Sequence, residues 1–171
     1  MENGKMFNIK SEQIIKLPIE KVFSFFERPE NLSLITPKWL KFNILTPEPL
    51  VMKSGAIFDY QIKIFGIPNR WKTLITDYDP PYKFVDEQAK GPYKKWIHTH
   101  TFEKIEGGTL VTDNVDYDLY GGAAAKIINE IYIKHSVKSI FTYRSKVLNE
   151  ILTPELSDSL LVSENQVIVQ S

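Results

Sequence analysis

The chain has 171 residues, 43% hydrophobic and 25% charged, a composition typical of a single soluble globular domain. Its 21 basic and 21 acidic side chains give a formal net charge of zero, so no overall positive field favours binding to nucleic acid or to an acidic membrane. Because the sequence contains no cysteine, disulfides, thiolate metal sites and thiol nucleophiles are excluded.

The N-terminal residues carry acids and amides where a secretory signal needs an apolar core. No apolar run approaches the roughly 20 residues that span a bilayer. We therefore expect a cytoplasmic protein without a membrane span, with one domain over residues 1–152. Residues 153–171 show little pattern and are predicted to form a C-terminal tail.

The first elements are a strand and two short helices. Residues 7–17 alternate loosely between apolar and polar and predict a strand. Pro18 follows and suits a helix start, since the missing N–H of proline is not needed there. Helical spacing of Val22, Phe23 and Phe26 predicts a helix, and Pro29 divides this region into two short helices.

A run of strands comes next, each identified by apolar residues at every second position and bounded by turn residues. The predicted strands are residues 42–46, 56–65, 70–78, 82–88, 94–105 and 109–120. The last two are joined across Gly107-Gly108. Short connections of this kind predict antiparallel pairing between neighbours.

The last long element, residues 123–152, has the pattern of a helix with two apolar stripes. The first stripe is Ala124, Ile127, Ile128 and Ile131; the second is Val137, Ile140, Phe141, Val147, Leu148 and Ile151. At about 100° per residue the two stripes are rotated by roughly 140° from each other. One straight helix cannot bury both against one sheet, so we expect a kink near residues 134–136.

Three segments carry a family resemblance: PIEKVFSFFERPENLSLITPKWLKFNILTP, GIPNRWKTLITDYDPPYKFVDEQAKGPYKKWIHTHTFE and VTDNVDYDL. They resemble bacterial ligand-binding SRPBCC proteins, relatives of the polyketide cyclase/dehydrase and START/Bet v 1-like group, over roughly residues 7–151. The resemblance implies an α+β helix-grip fold, in which a curved antiparallel sheet wraps a long C-terminal helix and leaves a cavity. Because that fold hosts carriers, cyclases, co-chaperones and hormone receptors, it implies less about chemistry.

Two of the three histidines in the chain, His98 and His100, lie at alternating positions of one predicted strand. If Gly107-Gly108 is the two-residue turn, His98 pairs with Tyr117 and His100 with Val115, and Phe102 pairs with Asp113. Both imidazoles then lie on the apolar, inward face of the sheet, together with Trp96. Polar groups facing inward need partners, water or a ligand.

Three roles are open for these histidines. They can form hydrogen bonds that shape a pocket wall, contact a ligand directly, or act as acid and base with Asp113. A metal would need a third ligand, and in this register Asp113 lies diagonal to His100 and far from His98. We therefore expect no metal and no other cofactor.

Two further elements, the strand at residues 82–88 and the last helix, bring polar or charged side chains towards the predicted cavity. Asp86 and Gln88 share a strand face with Phe84, so they point inward if Phe84 does. Arg144 lies in the second apolar stripe of the last helix. It is expected either to meet an inward carboxylate or an acidic ligand group, or to extend to the rim of the cavity.

Three hypotheses for function remain. The first is binding of a small, largely hydrophobic or aromatic molecule in the cavity; the second is a cyclase or dehydratase using His98 or His100 with Asp113; the third is an interaction module with a vestigial cavity. The residues expected to line the ligand site are Tyr60, Trp71, Asp86, Gln88, Trp96, His98, His100, Tyr117, Phe141 and Arg144. The oligomeric state is not predicted.

Overall fold

The computed structural model describes residues 6–64 and 66–152. The strands are β1 (Phe7–Ile15), β2 (Asn43–Ile44), β3 (Ile57–Ile64), β4 (Ile67–Asp79), β5 (Lys83–Lys90), β6 (Lys95–Ile105) and β7 (Gly108–Asp118). The helices are α1 (Ile19–Phe26), α2 (Ala123–Ile128) and α3 (Lys134–Ile151), with a π-helical segment, Asn129–Ile133, between the last two. Short 3-10 helices cover Pro29–Ser33 and Lys38–Leu40. The predicted tail, residues 153–171, lies outside the described residues.

Within the described part of the chain, the seven strands form one antiparallel sheet in the order β1-β7-β6-β5-β4-β3-β2. The sheet and the long C-terminal helical segment confirm the predicted α+β helix-grip class. The clearest differences from the predicted strand bounds are at β2 and β4. Strand β2 is only two residues long, and β4 begins at Ile67, inside the segment predicted as a turn.

Helix α1 begins directly after Pro18, as predicted, and buries Val22, Phe23 and Phe26. These side chains join the largest apolar cluster, which also includes Phe102 from β6. The predicted second helix is a single 3-10 helix, Pro29–Ser33. Like the 3-10 helix Lys38–Leu40, it is short and does not form a full α-helix.

The turn between β6 and β7 differs from the prediction by one step. Ile105 pairs with Gly108, so the turn residues are Glu106 and Gly107, and Gly107 adopts a φ of 80°. Gly108 belongs to strand β7, where a Cβ would lie 2.3 Å from the carbonyl oxygen of Ile15. One glycine therefore makes the turn and the other permits close approach of β1, whereas the sequence suggested that both belong to the turn.

This turn shifts the predicted pairing of the hairpin by two residues. His98 pairs with Val115 and His100 with Asp113, and the predicted pairs of His98 with Tyr117 and of His100 with Val115 are wrong. A shift of two leaves every side chain on its predicted face, since side chains alternate with period two. It does change the neighbours: Asp113 lies directly opposite His100.

The C-terminal helical segment has one buried stripe rather than two. The buried positions run along the segment as Ala125, Asn129, Val137, Phe141, Arg144 and Leu148. Residues four apart drift by about 40° in an α-helix, and the wider π-helical turn at Asn129–Ile133 absorbs part of that drift. The irregularity is thus a π turn, one helical turn before the kink expected near residues 134–136.

The first predicted stripe is on the outside. Ile127 and Ile131 are 63% and 56% exposed, and Ile128 and Tyr132 are also exposed. The buried position of this turn is Asn129, whose side chain accepts a hydrogen bond of 2.6 Å from the hydroxyl of Tyr117. Apolar spacing could not identify a buried asparagine, because its burial depends on that partner. Across the described residues, every helix is too short or too polar to cross a membrane.

Candidate functional site

Five ionisable side chains from four elements meet on the inner face of the sheet. They are Asp86 on β5, His98 and His100 on β6, Asp113 on β7 and Arg144 on α3, and together they are called the polar cluster. All are buried except Asp86, which is partly exposed. The antiparallel pairing of β5, β6 and β7 brings the four strand residues together, and the buried stripe of α3 places Arg144 above them.

The two imidazoles lie side by side with a carboxylate at each edge. Their ring centroids are 3.8 Å apart. At one edge Asp113 Oδ1 is 3.0 Å from His98 Nε2 and 2.7 Å from His100 Nδ1. At the other edge Asp86 Oδ2 is 3.1 Å from His100 Nε2 and 3.6 Å from His98 Nδ1. Each carboxylate therefore contacts both rings.

Two of these four approaches are hydrogen bonds: His98 Nε2 to Asp113 and His100 Nε2 to Asp86. The short approach of His100 Nδ1 to Asp113 lacks hydrogen-bond alignment, so this nitrogen has no hydrogen-bond partner among the described residues. Aromatic rings hold the imidazoles in place. Phe84 stacks on His100 at 4.1 Å between centroids, and Phe141 meets His98 edge to face at 5.7 Å.

Burial and charge act against each other in the polar cluster. Burial raises the pKa of both carboxyls, but at Asp113 the positive charges of His100 and Arg144 and the hydrogen bond from His98 together outweigh burial, and the pKa lies well below the usual range. Burial and the neighbouring His100 lower the pKa of His98. Burial also lowers the pKa of His100, but the negative charges of Asp113 and Asp86 and the hydrogen bond to Asp86 together outweigh burial and raise that pKa.

The hydrogen bond from His100, together with nearby positive charges, also outweighs burial at Asp86, and its pKa is lowered. The two imidazoles, tilted against each other between two carboxylates, therefore share their protons as a coupled pair, in which the charged form of His100 is favoured over that of His98. If both carboxylates are ionised and one histidine is protonated, the positive charges of that histidine and of Arg144 balance the two negative charges of the polar cluster.

Arg144 is the least satisfied member of the polar cluster. Its side chain is buried, and its Nε and Nη1 atoms have no hydrogen-bond partner among the residues that the structure describes. Arg144 forms an ion pair with Asp113, in which Nη1 lies 3.5 Å from Oδ1 of the carboxylate. The guanidinium lies 5.3 Å from the ring centroid of Phe141. Arg144 thus points inward, as one of the two sequence alternatives held, and its charge is only partly compensated.

Two adjoining cavities lie between the described parts of the sheet and α3. The first compartment has a volume of about 180 Å³, and its walls include Phe26, Leu32, Ile35, Phe42, Tyr60 and Ile75. The second compartment has a volume of about 430 Å³, and its walls include Trp39, Tyr93, Trp96, Ile133, Val137 and Phe141. Both are bordered by Leu40, Ile62, Trp71, His98, Ile140 and Arg144. Two members of the polar cluster, His98 and Arg144, thus lie where the two compartments meet.

The remaining residues predicted for the site divide into two groups. Tyr60 faces the first compartment, and burial strongly raises the pKa of its hydroxyl. Trp71 borders both compartments, and Trp96 and Phe141 border the second. These four surround the space next to the polar cluster.

Gln88 and Tyr117 border neither compartment. Both polar groups of the Gln88 amide bind the backbone of Tyr93, at 2.7 and 3.2 Å, and so hold the connection between β5 and β6. Tyr117 is fully buried and donates its hydroxyl hydrogen to Asn129. Tyr93 also borders the second compartment. The sequence places it in the short connection between the predicted strands 82–88 and 94–105, where no alternation predicts the direction of a side chain.

Comparison with known proteins identifies one family. The family described as polyketide cyclase / dehydrase and lipid transport matches residues 15–139. No curated protein matches the sequence significantly.

Solved structures are similar to the chain over most of its length. A protein from Chromobacterium violaceum has a TM-score of 0.67 and 14% identity, covering 86% of this chain and 97% of that one. Ginseng major latex-like protein 151 from Panax ginseng has a TM-score of 0.66 and 17% identity, covering 88% and 100%. A protein from Staphylococcus epidermidis has a TM-score of 0.59 and 19% identity, covering 85% and 92%. At these identities the likeness shows the fold alone.

Proposed function

Because the chain belongs to the polyketide cyclase/dehydrase and lipid transport family, we propose that it binds a small, largely apolar molecule carrying one carbonyl or acidic group. The family and the fold suggest ligand binding or cyclase/dehydrase-like activity, in agreement with the resemblance found in the sequence. The observation that carries the proposal is the buried, incompletely paired guanidinium of Arg144.

A buried guanidinium needs acceptors for its N–H groups. Leaving one buried donor without a partner costs about 1–3 kcal/mol, and more for charged groups. Within the described part of the chain two nitrogens of Arg144 lack a partner, and its side chain borders both compartments. A carboxylate, enolate or carbonyl oxygen of a ligand would satisfy them. Arginine suits this role because its planar group presents several donors to one planar acceptor.

The walls of both compartments support an apolar body for the ligand. Small-molecule sites combine mostly hydrophobic and aromatic walls with a few polar groups that set orientation. Tyr60, Trp71, Trp96 and Phe141 would contact the ligand body, whereas Asp86, His98 and His100 would contact its polar end. The second compartment, at about 430 Å³, lies within the roughly 300–1,000 Å³ usual for such sites.

Two fluorescent probes with the same ring system test the proposal: anionic 8-anilinonaphthalene-1-sulfonate and neutral N-phenyl-1-naphthylamine. The wild type should bind both. Arg144→Met should weaken the anionic probe about tenfold or more, because a hydrogen bond to a charged group contributes about 1.5–3 kcal/mol. Binding of the neutral probe should change little. Equal losses for both probes, or none, would contradict the role of Arg144.

A pair of tryptophan substitutions locates the bound probe. Ile140 borders both compartments, so Ile140→Trp should fill the junction and abolish binding of both probes. Ile127 is exposed and borders neither compartment, so Ile127→Trp is the matched control and should bind like the wild type. If Ile127→Trp changes binding and Ile140→Trp does not, the probes bind on the outer surface of the helix rather than in the cavity.

The second candidate function is a cyclase or dehydratase in the same cavity. It is favoured by the hydrogen bond between His98 Nε2 and Asp113, since an imidazole oriented by a carboxylate next to a substrate space is the minimal device for moving a proton. Turnover of a cyclic hydroxyketone that is lost in His98→Ala, while probe binding survives, would support catalysis. Turnover that persists in that variant would exclude His98 from it.

A further inference from the structure

Three metal-ligating side chains face the first compartment from one side of the polar cluster. Asp86, His98 and His100 each offer one ligand atom, and these atoms lie within 4.8 Å of one another. All three residues border the compartment, whereas Asp113 does not. We propose that Asp86, His98 and His100 bind one divalent first-row transition-metal ion in the wall of the first compartment.

The position of Asp113 supports this site independently. It lies at the opposite ring edges, 3.0 Å from His98 Nε2 and 2.7 Å from His100 Nδ1. His98 Nε2 is therefore hydrogen-bonded to Asp113 from behind, and His100 Nδ1 faces the same carboxylate without a hydrogen bond, which leaves His98 Nδ1 and His100 Nε2 beside Asp86. A carboxylate behind the ligand histidines is the usual second layer of a metal site, where it fixes tautomer and ring orientation. A bound ion would replace the hydrogen bond between His100 and Asp86.

The donor set indicates the class of metal. Two imidazoles and one carboxylate suit zinc, iron(II) and cobalt(II) rather than calcium or magnesium, and they leave coordination positions open. The sequence argued against a metal because the predicted register put Asp113 far from His98. The observed register places Asp113 against both rings and adds Asp86 as the third ligand, so that argument does not hold.

A bound ion would also change the net charge of the polar cluster. With both histidines neutral, a divalent ion and Arg144 exceed the charges of Asp86 and Asp113 by one. A ligand anion or enolate at the open coordination positions would restore neutrality. The metal and the guanidinium would then hold the same polar end of the ligand from two sides.

The test is calorimetric titration of the chelator-treated full chain with Zn²⁺. One ion per chain should bind. His98→Ala and His100→Ala should each abolish binding, and Asp86→Asn should weaken it at least tenfold. Asp113→Asn should weaken binding by about 10–100-fold, the usual effect of removing a second-layer partner. The third histidine, His135, is exposed and outside both compartments, so His135→Ala should bind like the wild type.

A second readout covers variants that fail to fold. Co²⁺ should give the wild type visible absorption bands from nitrogen and oxygen ligands, and these should be lost in Asp86→Asn, whose shape is almost unchanged. Circular dichroism identifies any variant that is unfolded. No Zn²⁺ binding by the wild type, or equal binding by the wild type, His98→Ala and Asp86→Asn, would overturn the site. Zn²⁺ binding without probe binding would instead refute the proposed ligand function and leave the metal site standing.

Discussion

One end of strand β6 lies in a closely packed apolar region, whereas its middle lies among polar groups that are incompletely hydrogen-bonded. At one end Phe102 packs against Phe23 and Phe26, with ring centroids 5.2 and 5.1 Å apart. In the middle, His98 and His100 enter the polar cluster, where nitrogens of Arg144 and His100 have no hydrogen-bond partner among the described residues. The first region has the close packing that stability requires. In the second region some buried polar atoms lack a hydrogen bond within the described residues, which is common at functional sites.

The largest effect should come from the packed end. Phe102→Ala should lower the free energy of unfolding by about 3–5 kcal/mol, because it removes a buried ring and leaves a cavity. Urea unfolding followed by circular dichroism measures it. Tyr120→Ala, which removes an exposed ring, is the control and should have little effect. Similar values for both variants would mean that the two ends of the strand do not differ as described.

An intermediate effect is expected at Asp113. Asp113→Asn removes the charge that faces both histidines and Arg144, and should lower the free energy of unfolding by about 1–3 kcal/mol. The same change at Asp118, also on β7, affects an ion pair with the exposed Lys94 and should leave the unfolding midpoint unchanged. If the two asparagine variants unfold alike, the carboxylate of Asp113 contributes no more than a surface charge.

The smallest effect on stability should come from Arg144. Arg144→Met loses a partly paired charge but also removes two unsatisfied donors, so the two contributions offset and the change should stay within about 1 kcal/mol. The urea midpoint measures this, and probe binding measures the functional loss separately. A destabilisation as large as that of Phe102→Ala would show that Arg144 serves the fold rather than a ligand.

The face of each strand residue could be predicted from the sequence, but its neighbours could not. Trp96, His98 and His100 were expected to point inward. The two histidines are buried and Trp96 borders the second compartment, because side-chain direction depends only on the period of a strand. Their partners depend on which glycine forms the turn. That choice rests on the contact between Gly108 and Ile15 of β1, a strand about 90 residues earlier, which no local pattern contains.

In the last helical segment, too, the sequence did not predict which residues are buried, but the reason is different. Apolar spacing predicted two buried stripes, whereas the structure buries Ala125 and Asn129 and leaves Ile127 and Ile131 exposed. A π-helical turn and the hydrogen bond from Tyr117 decide this, and neither has a signature in hydrophobic periodicity. The inward position of Arg144 was one of two alternatives, because burial of an arginine depends on partners from distant strands.

The central claim is that the buried guanidinium of Arg144 binds the polar end of an apolar ligand. A crystal structure of the protein with 8-anilinonaphthalene-1-sulfonate tests it most directly. The probe should lie between the sheet and α3, with a sulfonate oxygen within hydrogen-bonding distance of Arg144 Nε or Nη1. Density for the probe only on the exposed Ile127–Ile131 surface, or in the cavity with the sulfonate pointing away from Arg144, would contradict it.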